Sequence, residues 1–393
     1  MHIDSFAHGG LGVAREQGRV VFVADAIPGE TVVAELIDEK KRFARAVAVD
    51  VIEASADRVP HIWPEASIDR APEQRPGGAD LGFMTRERQG VLKRDVVLDA
   101  LARFAGGAHG FEQLVVEPVE PSLAWRSRIS LQVNADGVPG PLAARSHRVV
   151  PVSTYPLATE EIAAAAPWRE RVPGAERIDV VSSSSGELRI RVRQPGEAVD
   201  HTTLVHERVN GRSFAVAEGG FWQVHLRAAE TLQAAVRDAL APERLQQDAV
   251  QLDLYGGVGV LAVPLLEAVG PTAKLLSIES SARATQLARQ NLAEWPGSRA
   301  ETARVERIIE RIEVTPGASV VLDPPRAGAG RAVVQFLAAS PAAQIIYVAC
   351  DPVAFARDLG TFRAAGWEAE TLRAIDLFPN THHLELVARI VKR

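Results

Sequence analysis

The chain of 393 residues is long enough for two or three domains and for at least one large hydrophobic core. Hydrophobic residues make up 47% of it and charged residues 24%, which excludes collagen-like, coiled-coil and wholly disordered proteins. The net charge of −6 gives no general indication of a nucleic-acid binder. The uncharged, glycine-rich stretch 254–266 is too short to span a bilayer, and the N-terminus lacks the pattern of a signal peptide. We therefore expect a cytoplasmic protein with no membrane partner.

The chain contains a single cysteine, Cys350. It therefore cannot form an intramolecular disulfide or hold a cysteine-ligated zinc ion or iron–sulfur cluster. A lone cysteine is most often a small buried apolar residue, so its neighbours in the sequence must indicate any chemical role.

Residues 1–55 read as a small β-domain, because short β-rich runs at 20–23, 31–36 and 44–51 are separated by turn-forming residues. This spacing is typical of an oligonucleotide/oligosaccharide-binding barrel, a fold that often binds RNA, although the pattern equally fits an SH3-like barrel. The region is acidic overall, so we expect any RNA contact to be local, around the basic run 40–42 and Arg45.

Residues 56–217 are predicted to form a central α+β domain. Residues 56–82 are rich in proline, glycine and charge and read as a linker or irregular loop, and an apolar stripe predicts a helix over 86–104. Alternating strands are predicted at 129–133 and 188–193. The second places Arg189, Arg191 and Arg193 on one face, which is either a solvated sheet surface or a surface that faces phosphate groups.

Residues 218–393 show strands and helices in alternation, which predicts a doubly wound parallel sheet. A helix is expected over 224–240, and the predicted strands are 250–254, 274–278, 319–322 and 344–348. We therefore expect an α/β catalytic domain that follows an N-terminal barrel and a central α+β domain.

A glycine-rich turn follows the first of these strands, from Tyr255 to Gly259. Glycines here let the backbone turn tightly and approach a ligand at the carboxyl end of the sheet. The next strand ends at Glu279, whose carboxylate is placed to hold the hydroxyl groups of a ribose. The pair fits S-adenosylmethionine better than a nucleotide with phosphates, but on these residues alone a dinucleotide remains possible.

Three further motifs follow later strands. Asp323 precedes two prolines and Arg326. The prolines make the loop rigid and fix the Asp323 carboxylate, and Arg326 suggests a contact to a phosphate or to the edge of a base. Cys350 stands at a strand end just before a predicted helix, a position expected to lower the pKa of its thiol. Residues 377–385 contain two adjacent histidines, which by themselves indicate only a solvated surface loop.

Together and in this order, the motifs resemble the RNA 5-methyluridine methyltransferase family, over nearly the whole chain. Residues 7–15 and 27–30 are similar to the family's TRAM domain, an RNA-binding β-barrel. Residues 220–224 are similar to its cofactor-contacting segment. Residues 323–326, 350–352 and 383–385 match its catalytic motifs.

The resemblance implies S-adenosylmethionine as the cofactor, held by Gln223, Tyr255, Glu279 and Asp323. It implies that Cys350 attacks C6 of a flipped uracil in tRNA or 23S rRNA and that Glu385 removes the C5 proton. It also implies a monomer in which residues 83–117 pack on the catalytic domain, which would make the central domain discontinuous.

The chain departs from the family pattern at several places. Asp351 and Ala349 flank the cysteine where the family usually has asparagine and serine, and Gly256 stands where it usually has a cysteine. Tyr155 replaces a cysteine of the iron–sulfur cluster that many members hold, so no cluster is expected. Because a carboxylate beside a thiol raises its pKa, Asp351 leaves open a second hypothesis, an RNA-binding protein with weak or lost methylation. Cytosine-5 methylation is disfavoured, because the loop at Asp323 lacks a cysteine.

Overall fold

The N-terminal barrel is a five-stranded sheet with the strand order β1-β2-β3-β5-β4. The computed structural model describes residues 1–144, 146–199 and 202–393 of the chain. A backbone bridge between His2 and Thr31 joins the segment before β1 to the start of β4. Its small core is built from alternating buried residues such as Val21, Val23 and Ala46. The strands are β1 (Ser5–Ala7), β2 (Leu11–Glu16), β3 (Arg19–Ala24), β4 (Thr31–Glu39) and β5 (Phe43–Glu53).

The central part of the chain contributes elements to more than one sheet. Strands β7, β8, β9 and β10 form an antiparallel sheet with the order β10-β9-β7-β8, and β11 pairs with β12 as a hairpin. The elements in chain order are α1 (Arg86–Phe104), β6 (Val116–Pro118), β7 (Arg128–Val133), β8 (Pro139–Gly140), α2 (Glu160–Ala165), β9 (Arg177–Ser182), β10 (Leu188–Arg193), β11 (Leu204–Val209) and β12 (Arg212–Ala217).

The C-terminal part builds an eight-stranded sheet with the order β15-β14-β13-β16-β17-β19-β18-β6. The first five strands in this order, from β15 through β14, β13 and β16 to β17, run parallel to one another. Strand β19 runs antiparallel to both of its neighbours, β17 and β18. Its elements are α3 (Ala228–Ala239), β13 (Val250–Leu254), α4 (Ala262–Val269), β14 (Lys274–Glu279), α5 (Ala282–Asn291), β15 (Gly297–Thr302), α6 (Val305–Ile308), β16 (Ser319–Leu322), α7 (Arg331–Ala339), β17 (Gln344–Ala349), α8 (Pro352–Ala364), β18 (Trp367–Asp376) and β19 (Glu385–Lys392).

Apolar residues of the central strands alternate between two cores, one on each face of the eight-stranded sheet. Leu322 and Tyr347 belong to the core beneath α1, α7 and α8, whereas Val321 and Ile346 belong to the core beneath α3 and α4. Helices therefore cover both faces, as the βαβ alternation predicts. None of the described helices is both long and apolar enough to cross a membrane.

Two segments before residue 218 pack on this sheet. Strand β6 pairs with β18 at the edge of the sheet, and α1 lies against α8. The β11–β12 hairpin adds Val205, Phe214 and Val216 to the same apolar core as α3 and α4. By its packing the hairpin therefore lies with the catalytic sheet, although the predicted boundary after residue 217 would place it in the central domain.

Helix α3 begins at Ala228, four residues later than the predicted start at residue 224. The preceding segment is held in an extended form, because Val224 accepts a backbone hydrogen bond from Ser127 and His225 bridges Arg126. These contacts to the central domain compete with the first helical turn. They keep Gln223 in the connection between β12 and α3.

Aromatic side chains fill the core of the central domain around Tyr155. The ring centroids of Tyr155 and Trp63 are 4.8 Å apart, and Trp168 stacks on the other side at 6.0 Å. Gly78 approaches the Tyr155 hydroxyl so closely that a Cβ atom there would lie 3.1 Å from it. Where the resemblance would place cluster-binding cysteines, this chain therefore has packed aromatic rings.

Candidate active site

The predicted site residues on the sheet lie on five neighbouring strands. All of them lie at the same edge of the sheet, the one formed by the carboxyl ends of its parallel strands. Parallel strands β14, β13, β16 and β17 end there with Glu279, Tyr255, Asp323 and Cys350. Strand β19 runs the other way and therefore begins there, with Glu385.

The register of β17 and β19 brings Cys350 and Glu385 together. Ala349 pairs with Leu386 in the antiparallel ladder, so the next residues along the two strands, Cys350 and Glu385, stand opposite each other. Sequence motifs alone do not reveal this pairing, because the two residues lie on opposite sides of α8 and β18 in the chain.

A cavity lies beside this edge, where the strand order reverses between β13 and β16, and its empty space, open solvent included, is about 580 Å³. Such a switch point is the general ligand site of open α/β sheets. Gln223, Tyr255 and Asp323 line it, with Asp253, Phe221 and Trp222. Glu279 lies outside this lining and accepts hydrogen bonds from the backbone N–H groups of Gly257 at 3.1 Å and Ser281 at 2.6 Å.

The turn after β13 is shaped by a close approach of backbone to side chains. Tyr255 has a left-handed conformation with φ of 63°, and its hydroxyl donates to Glu306 at 2.8 Å. A Cβ atom on Gly256 would lie 2.2 Å from both the Asp253 carboxylate and the Ser277 hydroxyl. A cysteine, usual here in the family that the sequence resembles, would therefore require those two side chains to move.

Three buried carboxyl groups surround the site. Burial, with a smaller contribution from Glu279, raises the pKa of Asp253 to about 7, although a hydrogen bond from Ser277 opposes the rise. Burial and the nearby Asp253 raise the pKa of Asp323 to about 7. Burial and Asp323 raise the pKa of Glu385 well above its ordinary value, with Arg326 opposing. Perturbed acids gathered at a cleft are typical of a functional site.

Asp253 is the member of this group that sequence reasoning missed. It stands inside β13, two residues before the turn, and is 1% exposed. A carboxylate within a strand predicted to be buried was the available signal, because burying an acid is energetically costly and calls for a reason.

The thiol of Cys350 does not have the lowered pKa that its position before a helix suggests. Burial raises the pKa of Cys350 to about 12, and the carboxylates of Glu385, Asp323 and Asp351 add to the rise, while Arg326 opposes it. The sequence-based expectation was wrong because burial and the facing acids disfavour the thiolate. The helix N-terminus does not offset them, because Asp351 itself caps α8, accepting from the Ala354 N–H at 2.8 Å. The helix N-terminus therefore stabilises the Asp351 carboxylate rather than a thiolate.

The loop between β18 and β19 is anchored by α1. At its start Asp376 pairs with Lys93 at 2.6 Å and with Arg86 at 3.0 Å. Asn380 accepts from the side chain of Gln89 at 3.0 Å and donates its backbone N–H to the same side chain at 2.9 Å. Helix α1 thus fixes the loop that leads to Glu385.

The sequence alone indicates that the two histidines of this loop are solvated. In the structure they are partly buried. The Asp80 carboxylate contacts both the backbone N–H and Nδ1 of His382. Burial, His382 and Arg326 lower the pKa of His383 to about 3, so its ring is neutral at physiological pH. Nε2 of His383 therefore accepts from Arg326 at 3.3 Å and orients that guanidinium.

The arginine face of β10 is an ion-paired surface. Arg189 pairs with Glu187 at 2.9 Å and Arg191 with Glu197 at 3.0 Å. Arg193 lies 3.9 Å from Asp179. These carboxylates compete with any phosphate, which favours the solvated-face interpretation of this strand.

Comparison with known proteins gives two family matches. The family model described as tRNA (uracil-5-)-methyltransferase matches residues 177–393, and that of the TRAM domain matches residues 2–49. An uncharacterized RNA methyltransferase of Streptomyces avermitilis is 37% identical over 99% of this chain and 96% of its own length. The 23S rRNA (uracil(1939)-C(5))-methyltransferase of a Shewanella species is 28% identical over 98% of this chain and 94% of its own.

A solved structure shares the whole arrangement of the chain. The tRNA (uracil-54, C5)-methyltransferase of Pyrococcus abyssi, determined with S-adenosyl-L-homocysteine, aligns with a TM-score of 0.74 over 99% of this chain and 98% of its own. At 20% identity the likeness shows the fold. It confirms the predicted α/β catalytic domain with an N-terminal barrel.

Proposed function

The chain belongs to the tRNA (uracil-5-)-methyltransferase family, and we propose that it methylates C5 of a uridine in tRNA or 23S rRNA through a covalent bond between Cys350 Sγ and C6 of the uracil. The observation that carries the covalent step is the register of β17 and β19, in which Cys350 and Glu385 stand opposite each other beside the cavity. An RNA substrate also makes the cytoplasm the proposed place of action.

The cofactor of this reaction is S-adenosylmethionine, and the residues that line the cavity fit it. Gly257 has φ of 55° and no atom within 4 Å of a Cβ position, so the turn leaves open space beside its backbone. Gln223, Tyr255 and Asp323 line the cavity, and Glu279 lies at its margin with its carboxylate held by two backbone N–H groups. When bound, the cofactor supplies an electrophilic methyl group. These four residues would hold it.

Cys350 attacks as a thiolate, so its proton must first leave. With a pKa of about 12, the thiol keeps its proton at neutral pH in the free protein. Asp323 has a pKa of about 7 and is therefore the neighbouring carboxyl best matched to accept that proton. The Sγ–C6 bond then forms, and the electrons of the C5=C6 bond move to C5 and O4, which makes C5 the nucleophile that would take the methyl group before its proton is removed.

Glu385 completes the reaction by accepting the C5 proton. Its carboxylate is 1% exposed and the Oε2 atom has no hydrogen-bond partner among the described residues. A desolvated carboxylate with a raised pKa is a stronger base than one in water. The electrons of the C5–H bond re-form the C5=C6 bond, the Cys350 thiolate leaves, and Asp323 returns the proton.

The N-terminal barrel offers a surface for RNA around the loop between β4 and β5. Lys40, Lys41 and Arg42 occupy that loop, and the guanidinium of Arg45 lies 5.7 Å from the ring centroid of Phe43. Phe43 in turn packs edge-on against Phe22 at 5.9 Å. Basic side chains beside aromatic rings suit both phosphate groups and unstacked bases.

The decisive experiment compares Glu385→Gln with Cys350→Ala on uridine-containing RNA and S-adenosylmethionine. If Glu385 removes the C5 proton, the Gln variant carries out attack and methyl transfer but stalls before elimination. We expect a methylated RNA–protein adduct that survives denaturing gel electrophoresis and maps to Cys350. Cys350→Ala should form no adduct and no product while still binding RNA. Absence of adduct with Glu385→Gln, under conditions where wild type turns over, would contradict the assigned roles.

Because the high pKa keeps the thiol protonated, a second function also requires a test, that of an RNA-binding protein with weak or lost methylation. Release of tritium from RNA labelled at uracil C5 distinguishes the two, because only turnover at C5 frees the label. Tritium release by wild type but not by Cys350→Ala would support the enzyme. RNA binding without release from any uridine of total RNA would favour the binding protein. Nucleoside mapping of tRNA and rRNA from a deletion strain would then identify the modified uridine.

A further inference from the structure

The turn between β1 and β2 of the N-terminal barrel lies directly on the two loops that carry the candidate catalytic pair. His8 in this turn reaches the loop after β17, where its Nε2 lies 3.1 Å from Oδ2 of Asp351. Gly10 reaches the loop before β19, where a Cβ atom would lie 2.9 Å from Cβ of His382. One turn of the barrel therefore contacts the neighbour of Cys350 and the segment that leads to Glu385.

Asp351 is held between this turn and helix α8. One carboxylate oxygen caps the helix through the Ala354 N–H, and the other faces His8. Burial acts to raise the pKa of Asp351, but the hydrogen bonds from His8 and Ala354 outweigh it and hold the pKa below its ordinary value. Asp351 is therefore ionised, and His8 is the side chain that donates a hydrogen bond to its second carboxylate oxygen.

We propose that the barrel turn 8–10 is a structural part of the catalytic centre, in which His8 acts as a positioning residue whose hydrogen bond to the Asp351 carboxylate draws negative charge away from the reactive thiol. The catalytic meaning of this proposal rests on the proposed function, whereas its effect on the thiol does not. The barrel then both contacts RNA and completes the catalytic centre.

Several charges face Cys350. Glu385, Asp323 and Asp351 disfavour the thiolate, and Arg326 favours it. Of these acids, Asp351 contacts a barrel residue, His8. Removing His8 takes a hydrogen-bond donor from the Asp351 carboxylate, so more negative charge faces the thiol, and the thiol pKa should rise. Asparagine at position 351 would keep the helix cap without the charge and would make His8 unnecessary.

Alkylation of the protein with iodoacetamide tests this directly, because Cys350 is the sole cysteine of the chain and no RNA or cofactor is needed. The rate constant is measured from pH 7 to 10 for wild type, His8→Ala, Asp351→Asn and the double variant. We expect His8→Ala to react about two- to fivefold more slowly than wild type at pH 8, and Asp351→Asn to react faster. The double variant should match Asp351→Asn.

Equal slowing by His8→Ala in both backgrounds, or no slowing in the wild-type background, would overturn the proposal. Circular dichroism accompanies each variant, and His8 is sufficiently exposed, with 44% of its side chain accessible, for the substitution to be compatible with folding. The alkylation result is independent of methylation. A protein that never methylates RNA could still show the expected dependence on His8, and the two hypotheses can therefore fail separately.

A second pair of variants tests the contact of the turn itself. Gly10→Ala places a methyl group against His382, whereas Gly9→Ala meets no atom within 4 Å, and both glycines have positive φ, 76° and 88°. Both changes therefore strain the backbone, but only the first pushes the turn from the catalytic loop. We expect slowed alkylation with Gly10→Ala and a wild-type rate with Gly9→Ala. The same rate in both variants would contradict the proposed role of the contact.

Discussion

Two buried acids at the ends of adjacent strands, Asp376 and Glu385, have opposite surroundings. Asp376 ends β18 and is 3% exposed, and Glu385 begins β19 and is 1% exposed. Lys93 and Arg86 both lie within 3.0 Å of the Asp376 carboxylate. The Oε2 atom of Glu385 has no hydrogen-bond partner among the described residues, and the nearby Asp323 raises the pKa of Glu385 further.

The difference separates a structural acid from a reactive one. A buried carboxylate with two cations is stable in its charged form and fixes the helix that supplies those cations. A buried carboxyl next to other acids is destabilised in its charged form, so its position is costly and indicates function. Burial alone does not distinguish a structural acid from a reactive one. The charge of the neighbouring side chains does.

The largest expected effect comes from removing a cation from the paired acid. Lys93→Met leaves Asp376 with Arg86 alone and should lower the free energy of unfolding by about 3–5 kcal/mol, since one partner of a buried ion pair is left behind. Urea denaturation gives the measurement. Arg103→Met is the matched control, because it removes an exposed pair with Asp99 from the same helix and should cost under about 0.5 kcal/mol. Similar losses in the two variants would break the comparison.

Neutralising a buried acid that lies beside other acids should instead raise the free energy of unfolding. Asp253→Asn keeps an acceptor for the Ser277 hydroxyl but cannot ionise, so it should stabilise the protein at high pH. Because the pKa of Asp253 is raised to about 7 in the folded state, wild type loses stability relative to the variant as pH rises from about 4 to about 7. The difference should approach about 4 kcal/mol at pH 8 and vanish near pH 4.

The control for this pH profile is the exposed Asp248, whose change to Asn should alter the free energy of unfolding by under about 0.5 kcal/mol at any pH. A profile of Asp253→Asn that is flat from pH 4 to 8 would show that the carboxyl at this position is not destabilised by burial. The distinction between paired and unpaired acids would then lose its electrostatic basis.

The smallest effect is expected at Glu279, an acid that is neither deeply buried nor paired with a cation. Glu279→Gln should weaken S-adenosylmethionine binding by about 1–3 kcal/mol, measured by calorimetry, if its carboxylate holds the ribose. Since its oxygens accept from Gly257 and Ser281, folding should lose about 1 kcal/mol or less. Glu301→Gln, on the adjacent edge strand, should leave the affinity unchanged. Equal affinities in all three proteins would remove Glu279 from the cofactor site.

Much of the fold could be predicted from the sequence because its signals are local. Helix α1 and strands β10, β13 and β16 begin and end where the apolar pattern placed them, and the strands near 274 and 344 differ by one residue. Strand β15 was missed, because its residues lack a clear alternation of apolar and polar character. The start of α3 was misplaced, because contacts to Arg126 and Ser127, about a hundred residues away in the chain, override its helical pattern.

The sequence by itself determined the fold class, the family and the motifs at the strand ends, since each depends on residues within a short window. Only the tertiary structure decided which of those motifs meet and with what charge. The antiparallel direction of β19 brings Glu385 opposite Cys350, and burial beside several carboxylates turns an expected low thiol pKa into a high one. Lys93 and Asp376 are separated by 283 residues in the chain but by 2.6 Å in space. A pKa depends on all charges within a few ångströms, and those neighbours come from distant parts of the chain.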